Sequence, residues 1–292
     1  MFEDLYSPLQ KLQHPILSEF WIKRDDLIDP YISGNKWRKL KYILQDANKK
    51  GKTHLVTFGG AYSNHLVATA AAAARSGLKS TAFIRGEEVI NEMLVLCKLY
   101  GMQLLFTDRE SYKNKLACYN KHFQEQTETY FIDEGGASSE AVTGCAELIR
   151  ELPDDIDHIF CAAGTGTTAA GLLHGIQRAG LSTRLHIIPV LKGSEFIRQE
   201  ILKYVTESDH LLLHTDYHFG GYAKTQPELL EFMKNFIATH GILIDPVYTA
   251  KMCYAIYDLT SKNYFRANEK IVAIHTGGLL GIMGMKEKLV KS

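Results

Sequence analysis

The sequence predicts an α/β protein built on an open, twisted, mainly parallel sheet flanked by helices, and three observations carry that prediction. Short apolar, β-prone runs recur along the chain. Stretches with apolar residues at i, i+3, i+4 and i+7 lie between them, and two of the runs pass through glycine-rich loops directly into a helix. Two sheets interleaved along the chain fit the same pattern, and no repeat, Pro/Ser linker or low-complexity tract marks a boundary in composition.

In chain order, a helix is expected first, with Leu40, Ile43, Leu44 and Ala47 on its inner face. Strands follow at HLVTF (54–58), STAFI (80–84), QLLF (103–106) and TYFI (129–132). Val142, Cys145, Ala146 and Ile149 mark another helix, and further strands are expected at HIFCAA (158–163), LHIIPVL (185–191) and KIVAIHT (270–276). The short run Leu211, Leu212 and Leu213 also reads as a buried strand.

Composition narrows the function classes. In 292 residues, 33 Lys+Arg balance 33 Asp+Glu, so there is no basic excess with which to bind nucleic acid. The longest apolar stretch, 66–74, is interrupted by Thr69 and falls far short of the roughly 20 residues a membrane span needs. The first residues show no basic segment followed by an apolar one, which reads as a cytoplasmic protein without a secretory signal. Cys97, Cys118, Cys145, Cys161 and Cys253 are odd in number and widely spaced, so neither disulfides nor a zinc site is expected. His210, His214 and His218 have spacings of four, but the leucines between the first two favour a strand over a ligand-bearing helix. No metal is expected.

The glycines mark two candidate anion sites. HLVTF runs into Gly59, Gly60, Ala61, Tyr62, Ser63, Asn64 and His65, and HIFCAA runs into Gly164, Thr165, Gly166, Thr167 and Thr168. Each is a strand, a glycine and hydroxyl loop, and then a helix start, where free backbone N–H groups and the helix dipole favour an anion. The ordinary reading is that glycine and Ser/Thr merely cap these helices. Neither loop fits a Walker A or a G-x-G-x-x-G pattern. Two such sites imply a ligand with two anionic groups, or two ligands.

Lys36, in SGNKWRKL, stands at the start of the first helix. The dipole and burial there both disfavour an ammonium, which suits a nucleophilic amine that forms a Schiff base. The ordinary reading is a solvated charge, as expected for the neighbouring Arg38, Lys39 and Lys41.

With these residues in place, the chain resembles the D-cysteine desulfhydrase and 1-aminocyclopropane-1-carboxylate deaminase family of pyridoxal 5'-phosphate enzymes, of the tryptophan synthase β-like fold. KRDDL, SGNKWRKL, FGGAYSNH, DEGGAS, AGTGTTAAGLL, DPVYT and HTGGLLG occur in the family's order between residues 23 and 281. The resemblance implies fold type II with two sheets: a large cofactor-binding domain of 1–41 and 137–292, and a small mobile domain of 42–136. It implies that Lys36 holds the cofactor and acts as base. Thr165, Gly166, Thr167 and Thr168 would cradle its phosphate, Asn64 would meet its ring oxygen, and Thr276 its ring nitrogen. Ser63, Asn64 and His65 would face the substrate carboxylate, with Tyr222 and Tyr248 flanking the substrate and Ser63 also taking part in catalysis. It further implies a homodimer acting on a small amino acid.

Three features depart from the family pattern. Thr167 stands where members often have glycine, and the segment 107–128 matches no motif. Thr249 follows Tyr248 where the cyclopropane deaminases have an acidic residue serving the ring nitrogen. A neutral partner there disfavours a long-lived carbanion, which tilts the expectation to D-cysteine β-elimination giving pyruvate, ammonia and sulfide. Ring opening of aminocyclopropane carboxylate is the alternative. A non-enzymatic phosphate-ligand-binding module would explain the two loops but not Lys36.

Overall fold

The computed structural model describes residues 5–291. Its strands are β1 (Leu9–Lys11), β2 (Phe20–Lys23), β3 (His54–Gly60), β4 (Lys79–Arg85), β5 (Gln103–Thr107), β6 (Thr129–Ile132), β7 (His158–Ala163), β8 (Arg184–Pro189), β9 (Leu211–Leu213) and β10 (Ile271–Ile274). They divide into two sheets. One has the order β5-β4-β3-β6 and is parallel throughout; the other has the order β1-β2-β10-β7-β8-β9, with only β1 antiparallel to its neighbour.

Parallel neighbours require crossovers, and the helices supply them. In the smaller sheet these are α2 (Asn64–Arg75), α3 (Glu92–Leu99) and α4 (Lys115–Phe123). The larger sheet is served by α1 (Asn35–Lys49), α5 (Ser139–Ala146), α6 (Thr167–Ala179), α7 (Phe196–Leu202), α8 (Pro227–His240) and α9 (Thr249–Ser261), with α10 (Lys286–Lys291) following. Strands covered on both faces must be apolar nearly throughout, and β3, β7 and β10 are buried along almost their whole length. One core packs Phe160, Ile188, Ile256 and Ala273 beneath α8 and α9, while a second packs Ile159, Ile187, Leu172 and Ile274 beneath α6 and α7.

The expected strands form within one or two residues of their predicted ends. β1 and β2 were not anticipated. Their partners decide them: β2 is held in register by β10, with Phe20 opposite Ile271 and Lys23 opposite Ile274. Arg38 and Lys39 correct the expectation of solvated charges, since both are only 2% exposed. The Arg38 guanidinium forms paired bonds to Asp25, at 2.6 and 2.7 Å, and to Glu151, at 2.7 and 2.9 Å. Removing one partner from such a buried network costs about 3–5 kcal/mol, so these charges fix how α1 sits against the larger sheet. Lys41 is partly exposed and pairs with Glu147 at 2.7 Å.

His210, His214 and His218 serve three separate partners. His210 Nδ1 is 3.1 Å from Thr183 O, and His218 Nδ1 accepts from Gly220 N. His214 ends a chain of imidazoles across three adjacent strands. His158 Nε2 lies 3.1 Å from Glu269 Oε2, His158 Nδ1 2.9 Å from His186 Nε2, and His186 Nδ1 2.8 Å from His214 Nε2.

Candidate active site

Lys36 reaches its position through a backbone that only glycine can supply. Gly34 caps α1 with φ 60°, ψ −130°, and a Cβ placed on it would lie 1.9 Å from Thr276 O. The close approach lets Asn35 N donate to Thr276 O at 3.2 Å, while the Asn35 side chain donates from Nδ2 to Thr168 Oγ1 at 2.8 Å. The first turn of α1 is thereby fastened to the ends of β10 and of the loop after β7, with Lys36 between them.

No hydrogen-bond acceptor or ion-pair partner engages Lys36 Nζ among the described residues. Its ammonium is pushed well below the usual lysine value, first by burial and then by the neighbouring Lys39. Lys39 lies one turn on, buried, and donates from Nζ to Gly135 O at 2.9 Å. This second buried amine escaped the sequence reading. Its position three residues after Lys36, on the same face of a helix, was the available signal.

Both glycine loops lie at the C-terminal ends of parallel strands, where open α/β sheets bind ligands. Ser63 is the N-cap of α2, but its hydroxyl makes no capping bond. Gly166 is the N-cap of α6, in the left-handed region at φ 80°, and no side chain caps that helix either. Neither helix start has a side-chain cap, so N–H groups of both first turns stay available to an anion. Thr167 and Thr168 are buried beside Gly166, while Thr165 is exposed with its hydroxyl 3.3 Å from that of Thr167.

The two loops share a neighbour. The turn after β6 contains Gly135 and Gly136; a Cβ on the first would come within 3.1 Å of Thr165 Cγ2, and one on the second within 3.3 Å of His65 Cε1. Asn64 faces the turn after β10, since a Cβ on Gly278 would lie 3.0 Å from Asn64 Nδ2. Thr276 is buried, with no hydrogen bond to its hydroxyl among the described residues.

His65 is buried and neutral, its ring held well below the usual histidine value by burial and by Lys36 and Lys39. Thr57 Oγ1 donates to Ile132 O at 3.0 Å and so accepts from His65 Nε2 at 2.8 Å. The lone pair is thus on Nδ1, which is buried without a partner. In this tautomer Nδ1 is an acceptor, not a donor, packed beside Gly136.

Tyr248 leads into α9, and a Cβ on Gly164 would lie 3.3 Å from its phenolic oxygen. Tyr222 stands edge-on to it, with ring centroids 6.1 Å apart at 75°. Burial raises both phenols, Tyr248 well above the usual value. Contacts between neighbouring turns thus connect predicted residues on the loops after β3, β7 and β10 to one another and to the start of α1, and Tyr222 joins them through Tyr248. Asn35, Lys39 and Asp245 were missed. Asp245 is buried and its carboxylate accepts from Val247 N, Tyr248 N, Thr249 N and Thr249 Oγ1, all at 2.8–2.9 Å.

A model of the family described as "Pyridoxal-phosphate dependent enzyme" matches residues 5–277. The chain belongs to that family. A Thermotoga maritima protein, provisionally named a 1-aminocyclopropane-1-carboxylate deaminase, is 34% identical over 97% of this chain and 96% of its own length. A mitochondrial Arabidopsis thaliana protein named as a bifunctional D-cysteine desulfhydrase/1-aminocyclopropane-1-carboxylate deaminase is 30% identical over 95% of this chain and 77% of its own. A crystal structure described as an ACC deaminase homologue superposes with a TM-score of 0.84 at 30% identity, covering 100% of this chain and 95% of the other. The protein is thus a pyridoxal-phosphate-dependent lyase of fold type II.

The residues present fit that cofactor. A half-buried amine with a lowered proton affinity and no partner among the described residues, an uncapped helix start on a left-handed glycine, and an unpaired hydroxyl at Thr276 match an aldehyde, a phosphate and a ring nitrogen in turn. Among the described residues no group of three or more His, Cys, Asp or Glu is arranged to hold a metal, and no helix is long and apolar enough to cross a membrane.

Proposed function

We propose that the protein catalyses β-elimination of D-cysteine, with water, to pyruvate, ammonia and hydrogen sulfide. The observation that carries this reading is that the residue after Tyr248 is Thr249, not a carboxylate, and that Asp245 and Asp26, which lie against the turns that hold Tyr248 and Thr276, are already engaged. Thr249 is fully buried, and its hydroxyl is spent on Asp245. Asp245 is itself saturated by the start of α9, and Asp26, 3.6 Å from His275, is engaged by Arg24. Thr276 is then the neutral group that faces the ring nitrogen.

Bound pyridoxal phosphate supplies an electron sink for the charge left when the substrate Cα–H bond breaks. Without an ionised partner that sink is weaker, which favours prompt loss of a leaving group on Cβ over transamination. Thr165, Gly166, Thr167 and Thr168 hold the phosphate, and Asn64 meets the ring oxygen. Ser63 and Asn64, at the start of α2, hold the substrate carboxylate, with His65 closing the wall behind them. Lys36 Nζ, its proton affinity lowered by desolvation and by Lys39, takes the α-proton. Tyr222 and Tyr248 flank the side chain and exclude water from the departing thiolate. Residues 42–136 form the small domain that closes over the substrate.

The test is a substrate panel. Purified protein should absorb in the visible as a lysine-linked pyridoxal phosphate, lose that band in Lys36→Ala, and release pyruvate from D-cysteine. Release of 2-oxobutyrate from 1-aminocyclopropane-1-carboxylate, with no pyruvate from D-cysteine, would replace this reading with the ring-opening one that the relatives' names support.

A further inference from the structure

Lys251 is a buried cation to which the chemistry above gives no task. It lies on α9, fully buried, and donates from Nζ to two backbone carbonyls, His218 O and Gly221 O, at 2.8 Å each. These carbonyls bracket an unusual stretch of chain leading to Tyr222. Phe219, Gly220, Gly221 and Ala223 have φ of 50°, 92°, 115° and 53°, so two non-glycine residues are held in the left-handed region. Such a conformation persists only where its surroundings impose it.

The same face of α9 grips this segment at two more points. The Phe219 ring packs edge-on to Tyr254, centroids 4.9 Å apart, and Tyr217 donates to Asp258 Oδ2 at 2.6 Å. Residues 251, 254 and 258 are spaced i, i+3 and i+7, one stripe of the helix. The helix begins immediately after Tyr248, so a single element presents one tyrosine of the cleft and anchors the loop bearing the other.

We propose that Lys251 is the positioning residue of Tyr222: its ammonium ties the two carbonyls ahead of that tyrosine to α9 and so sets the tyrosine against Tyr248 and the substrate. The proposal rests on the reading of Tyr222 as a substrate-flanking residue. Burial brings the Lys251 ammonium down to about 8, with Asp245 acting in the opposite direction. The clamp is at full strength below that pH and weakens as pH rises through it, because charge-assisted bonds become ordinary ones. Of the other groups packed here, burial raises the Tyr217, Tyr222 and Tyr248 phenols, Asp258 accepts from Tyr217 and Lys262, Asp245 accepts from N–H and O–H donors, and His218 and Lys224 lie in the loop itself.

The experiment compares wild type, Lys251→Met and Lys251→Arg, all loaded with pyridoxal phosphate, by peptide hydrogen exchange and by steady-state kinetics on D-cysteine. In Lys251→Met, amides of residues 217–224 should exchange about tenfold faster or more while β7 and β8 are unchanged. The visible band should remain and kcat should fall about tenfold, with a smaller change in KM. Lys251→Arg should restore protection of the loop and abolish the alkaline fall in kcat near pH 8. Unchanged exchange in 217–224, or equal loosening of the loop and the β7–β8 core, overturns the proposal. If wild type releases no product from any amino acid, the reading of function fails instead, and exchange alone judges Lys251.

Discussion

Gly34 and Thr276 are in backbone contact: the Cα of one lies so close to the carbonyl of the other that a methyl group would overlap it, at 1.9 Å. The contact places the start of α1 on the end of β10, and Lys36 projects from that junction.

Gly34→Ala should therefore be costly on two counts, a Cβ at φ 60° and an overlap with backbone that has no room to yield. A loss of about 3 kcal/mol or more is expected in urea unfolding. Pyridoxal phosphate should also bind more weakly, because Lys36 cannot keep its place. A stable Gly34→Ala protein with normal cofactor affinity would show that the contact is not needed.

Lys39 lowers the proton affinity of Lys36 by its charge. Lys39→Met should raise the midpoint at which Lys36 in the cofactor-free protein becomes reactive toward an amine-directed label. The sign is fixed, since removing a nearby cation favours the ammonium. A midpoint that stays put or falls would mean that burial alone sets it.

Asp245 holds three successive backbone N–H groups and the Thr249 hydroxyl at the start of α9. Asp245→Ala leaves these donors buried and unpaired, at a cost of about 3 kcal/mol. Thr249→Val removes only the hydroxyl and should cost about 1 kcal/mol. Thermal unfolding of the two variants checks the order.

The imidazole chain makes the larger sheet acid-sensitive. Burial lowers His158, His186 and His214, the second to about 2, so the folded state resists protons that the unfolded chain accepts near 6.5. Stability is full above that value and declines as pH falls below it, by up to about 1.4 kcal/mol per pH unit for each histidine left unprotonated. His186→Phe preserves the ring stacked on Phe160 at 4.3 Å and should reduce the slope of unfolding free energy between pH 6 and 4 by about one proton. A slope identical to wild type would place the acid sensitivity elsewhere.

The elements legible in the sequence were those whose own residues carry the period. β3, β4 and β7 run for six or seven residues and are buried along most of their length, and α1 shows its buried stripe of Leu40, Ile43, Leu44 and Ala47. β1 and β2 had no such signal: β1 pairs with β2, and β2 is held in turn by β10, far along the chain. The site was readable where backbone chemistry dictates the residue, as at Gly166. It was not readable where a charge acts through burial: Arg38, Lys39 and Lys251 look in sequence like any surface cation, and only the packing of Asp25, Gly135 and the 218–221 carbonyls around them gives them a purpose.

The pairing of β2 with β10 also bears on how the protein is made. Phe20 waits for Ile271, and Gly34 for Thr276, so the junction that carries Lys36 cannot close on the ribosome until nearly the whole chain has emerged. The smaller sheet, drawn from the continuous stretch 54–132, is free of that delay. Long-range parallel pairing is slow. A nascent chain should therefore present a folded small sheet well before it can take up its cofactor, which makes the last strand the step that turns a folding intermediate into an enzyme.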